Sequence, residues 1–216
     1  MTPVTANGQS VGKWVDQSKK VGNATQATSA NKPTYNTNSI NGLPVLTCNG
    51  TSTIMALASS VALGSGPWTI YAIGAFTGSP TNNDQFVLAG GTTNVGCFIR
   101  LLSLGSNNLQ QEIIDDSQNF DCTNSYTGSA SAKIMRFRRT SANTGFFRAT
   151  GSADYNLGTG QGQGNYTLQN IMADGQGDFT TGTFAEIQVY TEDTVATGND
   201  PKILAYLKAK YALTLP

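Results

Sequence analysis

The sequence predicts an all-β protein, a two-sheet antiparallel sandwich carrying one short C-terminal helix. Short alternating apolar runs recur through most of the chain, with Gly, Asn and Ser turns between them. Apolar residues make up 38% and charged residues 12%, about half the usual charged share, so polarity falls to Asn, Thr, Ser and Gln. Uncharged polar side chains on period-two runs fit the outer face of a sheet. The period becomes helical only near the C-terminus. A chain of 216 residues can bury a sizeable core, and no repeat or linker divides it, so residues 1–216 read as one domain.

Val11 to Val15 is a short strand ending at Asp16, and residues 17 to 39, polar with scattered apolar positions, read as a long surface excursion. Ser39-Ile40 and Pro44 to Cys48 flank Asn41-Gly42, a dipeptide that accepts the positive φ of a tight hairpin. Pro44 lacks a backbone donor and belongs at a strand start or sheet edge. Ile54 to Leu57 is a further strand. Trp68, Ile70, Ala72, Gly74 and Phe76 share one face of the next run, while Thr69, Tyr71, Ile73 and Ala75 make the other, also mostly apolar. A strand apolar on both faces is central and covered twice.

Gln85 to Ala89, Val95 to Leu104 and Leu109 to Asp115 follow, broken by Gly90-Gly91 and by Gly105 to Asn108. Ile134 to Arg139 alternates and pairs with Gly145 to Thr150 across a turn at Ser141 to Thr144. Residues 151 to 166 read as a Gly- and Gln-rich loop, and Leu168 to Ala173 and Phe184 to Tyr190 as the last strands. Asp200 is placed to cap a helix and Pro201 suits its first turn, giving an amphipathic helix over about 200–211. Ile203, Leu204, Leu207 and Tyr211 face inward; Lys202, Lys208 and Lys210 face solvent.

Two stretches carry a resemblance. One runs from Val11-Gly12-Lys13-Trp14-Val15-Asp16-Gln17-Ser18 through Gly22-Asn23-Ala24-Thr25-Gln26-Ala27-Thr28, Asn31-Lys32-Pro33-Thr34 and Asn41-Gly42-Leu43-Pro44-Val45-Leu46 to Asn49-Gly50. The other joins Gly182-Thr183-Phe184-Ala185-Glu186-Ile187-Gln188-Val189-Tyr190 to Ile203-Leu204-Ala205-Tyr206-Leu207-Lys208-Ala209-Lys210-Tyr211. Both resemble the concanavalin A-like (laminin-G-like) jelly rolls of phage virion proteins and bacterial secreted proteins. The resemblance implies two stacked antiparallel sheets and a family in which many members bind glycans, although fold alone does not establish function. Relatives often carry an acidic pair after the Asn49-Gly50 position; here Thr51, Ser52 and Thr53 stand there, without the carboxylates calcium would need. The chain begins mid-way through the family's opening segment, which leaves a sheet edge to be covered by a neighbouring subunit or by the chain itself.

The chemistry available is narrow. The chain has no histidine and three glutamates, so the usual neutral-pH base and commonest metal ligand is missing. Cys48, Cys97 and Cys122 form no metal-ligand spacing and read as three buried reduced thiols, with one disulfide and a free thiol as the alternative. Net charge is zero, which argues against capture of nucleic acid. No apolar run is long enough to span a membrane, and no basic-then-apolar leader opens the chain. Glycoside hydrolysis needs paired carboxylates, and only Glu112 with Asp115 or Asp116, and Glu186 with Glu192, lie close in sequence. Solvated edge charges are the plainer reading.

Asp115, Asp116 and Asp121 form an acidic loop with Asn119 and Asn124 that is a candidate for calcium; Asp174 and Asp178, around Gly175-Gln176-Gly177, are another. For sugar, Tyr155 and Tyr166 with Gln161, Gln163 and Asn165 make the candidate binding rim, an aromatic and amide set in a Gly-rich segment. Trp14 and Trp68 read as core. Arg136, Arg138, Arg139 and Arg148 read as a salt-bridged outer face or a subunit contact. The expectation is a non-catalytic jelly roll on a phage virion surface, as a decoration, head-fibre or tail-associated protein. It would have capsid or tail proteins and further copies of itself as partners, and host-cell polysaccharide as its ligand. The alternative is a carbohydrate-binding module of a secreted bacterial protein; a glycoside hydrolase is a distant third.

Overall fold

Two antiparallel sheets stack face to face. In spatial order the eight-stranded sheet contains β1 (Lys13–Trp14), β2 (Ala24–Thr25), β5 (Met55–Gly64), β14 (Tyr166–Ile171), β7 (Asp84–Ala89), β8 (Phe98–Ser103), β9 (Asn108–Asp115) and β10 (Gln118–Thr127). The seven-stranded sheet contains β13 (Tyr155–Thr159), β12 (Thr144–Ala149), β11 (Lys133–Arg139), β6 (Trp68–Phe76), β15 (Thr181–Tyr190), β4 (Leu43–Asn49) and β3 (Thr34–Ile40). One helix, α1 (Asp200–Tyr211), follows β15. This computed structural model describes residues 4–76, 84–90, 98–103, 108–115, 118–127, 131–159, 166–174 and 177–213, with backbone alone at 84–86, 98–103, 108–115, 118–127, 157–159 and 166.

The doubly apolar strand is central, as its sequence requires. Trp68, Ile70, Ala72 and Phe76 of β6 enter the core between the sheets with Met55, Leu168, Phe147 and Phe184. Tyr71 and Ile73 point the other way and meet Leu207 and Tyr211 of α1 in a second cluster. All nine residues of β6 are buried. At about 1.5–3 kcal/mol for each large apolar side chain removed from water, this strand draws stabilisation from both faces.

The Asn41-Gly42 turn forms as read, with φ of 48° and 76°, and Pro44 sits second in β4. The strands hidden in polar sequence are the corrections. Residues 17 to 39 are not one excursion: they hold β2, a single 3-10 turn at Ser29–Asn31 and β3. Residues 118 to 127 form β10, and residues 151 to 166 contain β13 and the start of β14, so neither segment is simply a loop. β3, β10 and β13 are all sheet edges. An edge strand needs no apolar alternation on both faces, because its pairing is fixed by backbone bonds along one side. Part of the β3 edge is covered by the chain itself. Gly8 donates to the Tyr35 carbonyl at 2.8 Å, Tyr35 to Gln9 at 2.8 Å and Val11 to Pro33 at 2.9 Å.

Two helix details also differ from the sequence reading. Asp200 does not cap α1: Asn199 holds the cap position and makes no side-chain cap bond. The Asp200 carboxylate instead accepts from Arg136 at 2.7 Å and from the Tyr71 hydroxyl. A guanidinium exposed by only 2% must be paired, and that demand outweighs an orphan helix amide that water can satisfy. Lys210 does not simply face solvent but pairs with Glu186 at 2.8 Å. The arginine stripe is not an outer face: Arg136, Arg138 and Arg139 are buried, and ion pairs neutralise the first two. Arg136 also holds Asp154 at 2.6 Å, while Arg138 holds Asp193 at 2.9 Å and lies over the Phe146 ring at 4.0 Å.

Candidate functional site: a cleft beside the closing strand

β15 pairs with β4 only from Thr181 to Phe184, where Phe184 faces Leu46. A bulge against β6 then falls between Phe184 and Glu186, and beyond it β15 follows β6 alone, from Glu186 opposite Ile73 to Tyr190 opposite Thr69. β4 meanwhile turns into its hairpin with β3, pairing Leu43 with Ile40. Among the described residues, no strand pairs with the outer edge of Ile187–Tyr190. A cleft of about 1340 Å³ wraps round that edge, with Trp14, Leu57, Ile187 and Val189 on the core side and Gln188, Tyr190, Tyr206 and Lys210 on the helix side.

Glu186 organises the polar wall. It accepts from Gln188 Nε2 at 2.6 Å, Lys210 Nζ at 2.8 Å and the Tyr211 hydroxyl at 2.7 Å, with Tyr206 more distant at 3.3 Å. Tyr190 donates to Gln188 Oε1 at 3.0 Å, and Lys210 to the Tyr206 oxygen at 2.8 Å. Burial alone would raise the Glu186 pKa, but the bonds from Lys210, Tyr211 and Gln188 overcome it and hold the carboxyl below its ordinary range. The Tyr211 phenol is pushed up by burial and by that same carboxylate. A carboxylate that stays ionised and already accepts three short bonds is a poor general acid. Glu192 is likewise engaged, accepting from Asn199 at 2.9 Å. The cluster is built to hold a surface still.

No family model matches the chain, and no curated protein matches it in sequence. Its fold has solved counterparts. Domain 4 of AbnA, a GH43 extracellular arabinanase from Geobacillus stearothermophilus solved in complex with arabinotriose, superposes with a TM-score of 0.60 at 12% identity, covering 90% of this chain and 98% of that domain. The binding domain of Paraclostridial Mosquitocidal Protein 1 gives 0.53 at 10% identity, over 90% of this chain and 51% of that one. Tailspike protein 2 of the Escherichia coli O157:H7 bacteriophage CAB120 gives 0.50 at 13% identity, over 92% and 28%. The likeness is one of fold. The two-layer sandwich implied by the jelly-roll resemblance is therefore present.

The residues singled out from sequence fall in several places. Tyr155 lies in β13, half-buried against the inter-sheet core, and Tyr166 opens β14 in the other sheet, with its backbone alone described. Gln161, Gln163 and Asn165 lie outside the described residues, as does Asp116. Asp115 ends β9 opposite Gln118, and Asp121 lies in β10 opposite Glu112, so their backbones stand three register positions apart, about 10 Å. Among the described residues, no three carboxylates or thiols gather as metal ligands. Asp174 is buried and accepts from the amides of Gly177 and Asp178 at 3.2 and 3.1 Å, the bonding of a tight turn. Cys48 is a free buried thiol, its pKa pushed up by desolvation. Cys97 lies outside the described residues, and only the backbone of Cys122 is described.

Sequence reasoning missed the cleft. Trp14 is only half-buried and lines its core side, and Tyr206, 47% exposed, lines its helix side. The available signal was Glu186-Ile187-Gln188-Val189-Tyr190, whose polar members share parity, followed by Tyr206 and Lys210 at helical spacing. Nothing in the sequence announces that β4 leaves β15 half-way along.

Proposed function

We propose that this chain is a non-catalytic β-sandwich module that binds glycans on the surface of a phage particle, as a decoration, head-fibre or tail-associated protein. The observation that carries the glycan reading is the correspondence with domain 4 of the arabinanase, solved with arabinotriose, over nearly its whole length. The cleft supports it from this chain's own residues: aromatic rings, an amide and ionised carboxylates held in place, without a free acid to protonate a leaving group. The tailspike correspondence and the low-charge exterior support display on a particle. Partners in this reading are capsid or tail proteins and further copies of the chain, which would cover a sheet edge left open. Tyr155 and Tyr166, with Gln161, Gln163 and Asn165 between them, form a second rim in this reading. Calcium enters only through Asp115, Asp116 and Asp121.

The second reading, a carbohydrate-binding module of a secreted bacterial protein, is favoured by the extracellular origin of that same arabinanase domain. A glycan array with the purified chain, paired with binding to purified particles, separates the two. Selective saccharide binding with retention on particles supports virion display, and saccharide binding without retention supports the secreted module. A chain that binds no saccharide in the array overturns both. Calorimetric titration with calcium, repeated on Asp121→Asn, is expected to show heat only in the wild type if the acidic segment holds the ion.

A further inference from the structure

We propose that the cleft between β1 and the free half of β15 is where the saccharide sits, and that it takes neutral rather than acidic glycans; this rests on the glycan reading above. A pyranose or furanose offers an apolar C–H face and a rim of hydroxyls. A matching site pairs a flat ring with fixed donors and acceptors. Trp14, half-buried against the core, supplies the ring, and Val15 beside it is 53% exposed. Round the free edge of β15, on its helix side, stand Gln188, Tyr190 and Tyr206, locked to one another through Glu186 and Lys210 before any ligand arrives, so a saccharide lying over that edge reaches both the ring and these groups. Such preorganisation lowers the ordering cost of binding. The outer edge of Ile187–Tyr190, which no described strand pairs, adds backbone amides and carbonyls that hydroxyls can meet.

Charge decides the class. Lys13, Lys20 and Lys210 line the cleft against Asp16, Glu186 and Glu192, three of each sign. Among the described residues no arginine lines it, and Arg136 and Arg138 are spent on Asp154, Asp193 and Asp200. A uronic or sialic carboxylate would find no bidentate fork and no net positive field.

The test uses the full chain, calorimetry and tryptophan emission. The probes are neutral trisaccharides (arabinotriose, cellotriose) and acidic ones (trigalacturonate, sialyllactose). Trp68 is fully buried between the sheets, so a sugar-induced emission shift reports Trp14. Neutral sugars are expected to bind and shift the emission. Tyr206→Ala and Gln188→Ala should each weaken binding by at least about tenfold, and Trp14→Phe should abolish the shift. Exposure of Tyr206 makes its truncation safe for folding, which the urea midpoint checks. Undiminished affinity in all three variants moves the saccharide elsewhere and sinks the cleft, while leaving the glycan reading standing. Tighter binding of the acidic sugars sinks the charge argument. A wild type that binds none of the probes, but binds another saccharide in the array, sinks the ligand class alone; one silent everywhere sinks the glycan reading as well.

Discussion

Glu186 receives bonds from its own strand, through Gln188, and from the helix, through Lys210 and Tyr211. Its pKa lies below the ordinary carboxylate range because those donors outweigh the desolvation that opposes them. The sign follows from linkage: the folded state prefers the ionised form. Its contribution is therefore complete above the unfolded-state pKa, near ~4.3, and is lost as pH falls through the lower folded value. Glu186→Gln is expected to lower stability at neutral pH by about 1–3 kcal/mol, leaving Lys210 and Tyr211 without their acceptor. It should also flatten the acid limb of the stability curve, which urea midpoints across the acid range will read. Arg136→Met makes a stronger case. It leaves Asp200 and Asp154 without the guanidinium they share, and the loss of one partner of a buried pair predicts about 3–5 kcal/mol. A midpoint close to wild type would show that water reaches those carboxylates.

At the scale of elements, β6 and β15 meet more closely than side chains allow. A Cβ at Gly74 would stand 1.9 Å from the Thr183 carbonyl oxygen, and one at Gly182 would stand 2.2 Å from that of Ala75. Glycine is needed at Gly74 for room, in the middle of a strand where it otherwise weakens the sheet. Gly74→Ala is expected to cost more than about 2 kcal/mol, or to prevent folding, since the atom in the way is backbone and cannot rotate aside. Soluble expression and the urea midpoint are the readouts. This close packing was invisible in the alternation that identified β6, where Gly74 counted only as one more small residue on the inner face. What the sequence does reveal is burial. β6, β11, β12, β15 and α1 were legible because apolar periodicity records which faces leave water. The edge strands β3, β10 and β13 were not: in β3 the apolar Tyr35 and Ile40 fall out of phase, and in β10 and β13 the alternating Phe120, Cys122 and Tyr126, or Tyr155 and Leu157, are few among polar residues and glycine. The cleft escaped for a related reason: it exists where a pairing stops, and register leaves no mark in composition.

At the scale of the molecule, the two apolar clusters are joined rather than merely adjacent. β6 contributes Trp68 and Ile70 to the inter-sheet core and Tyr71 and Ile73 to the helix-covered face, so neither cluster can open without disturbing a strand the other uses. Arg136 strengthens the link by holding Asp200, the first residue of α1, from the neighbouring strand β11. Single-domain behaviour should follow: one cooperative transition, with helical circular dichroism and the emission of buried Trp68 lost together. Leu207→Ala tests the coupling from the helix side. Leu207 is fully buried against Tyr71 and Ile73, and truncation should destabilise by about 2–5 kcal/mol. If the clusters are coupled through β6, that loss moves both signals to the same lower midpoint, although Trp68 lies on the opposite face. Separate midpoints, with the helix melting first and the Trp68 signal unchanged, would instead make α1 a detachable cover. In that case the Glu186 cluster, and the cleft wall it holds, would come apart before the sandwich does.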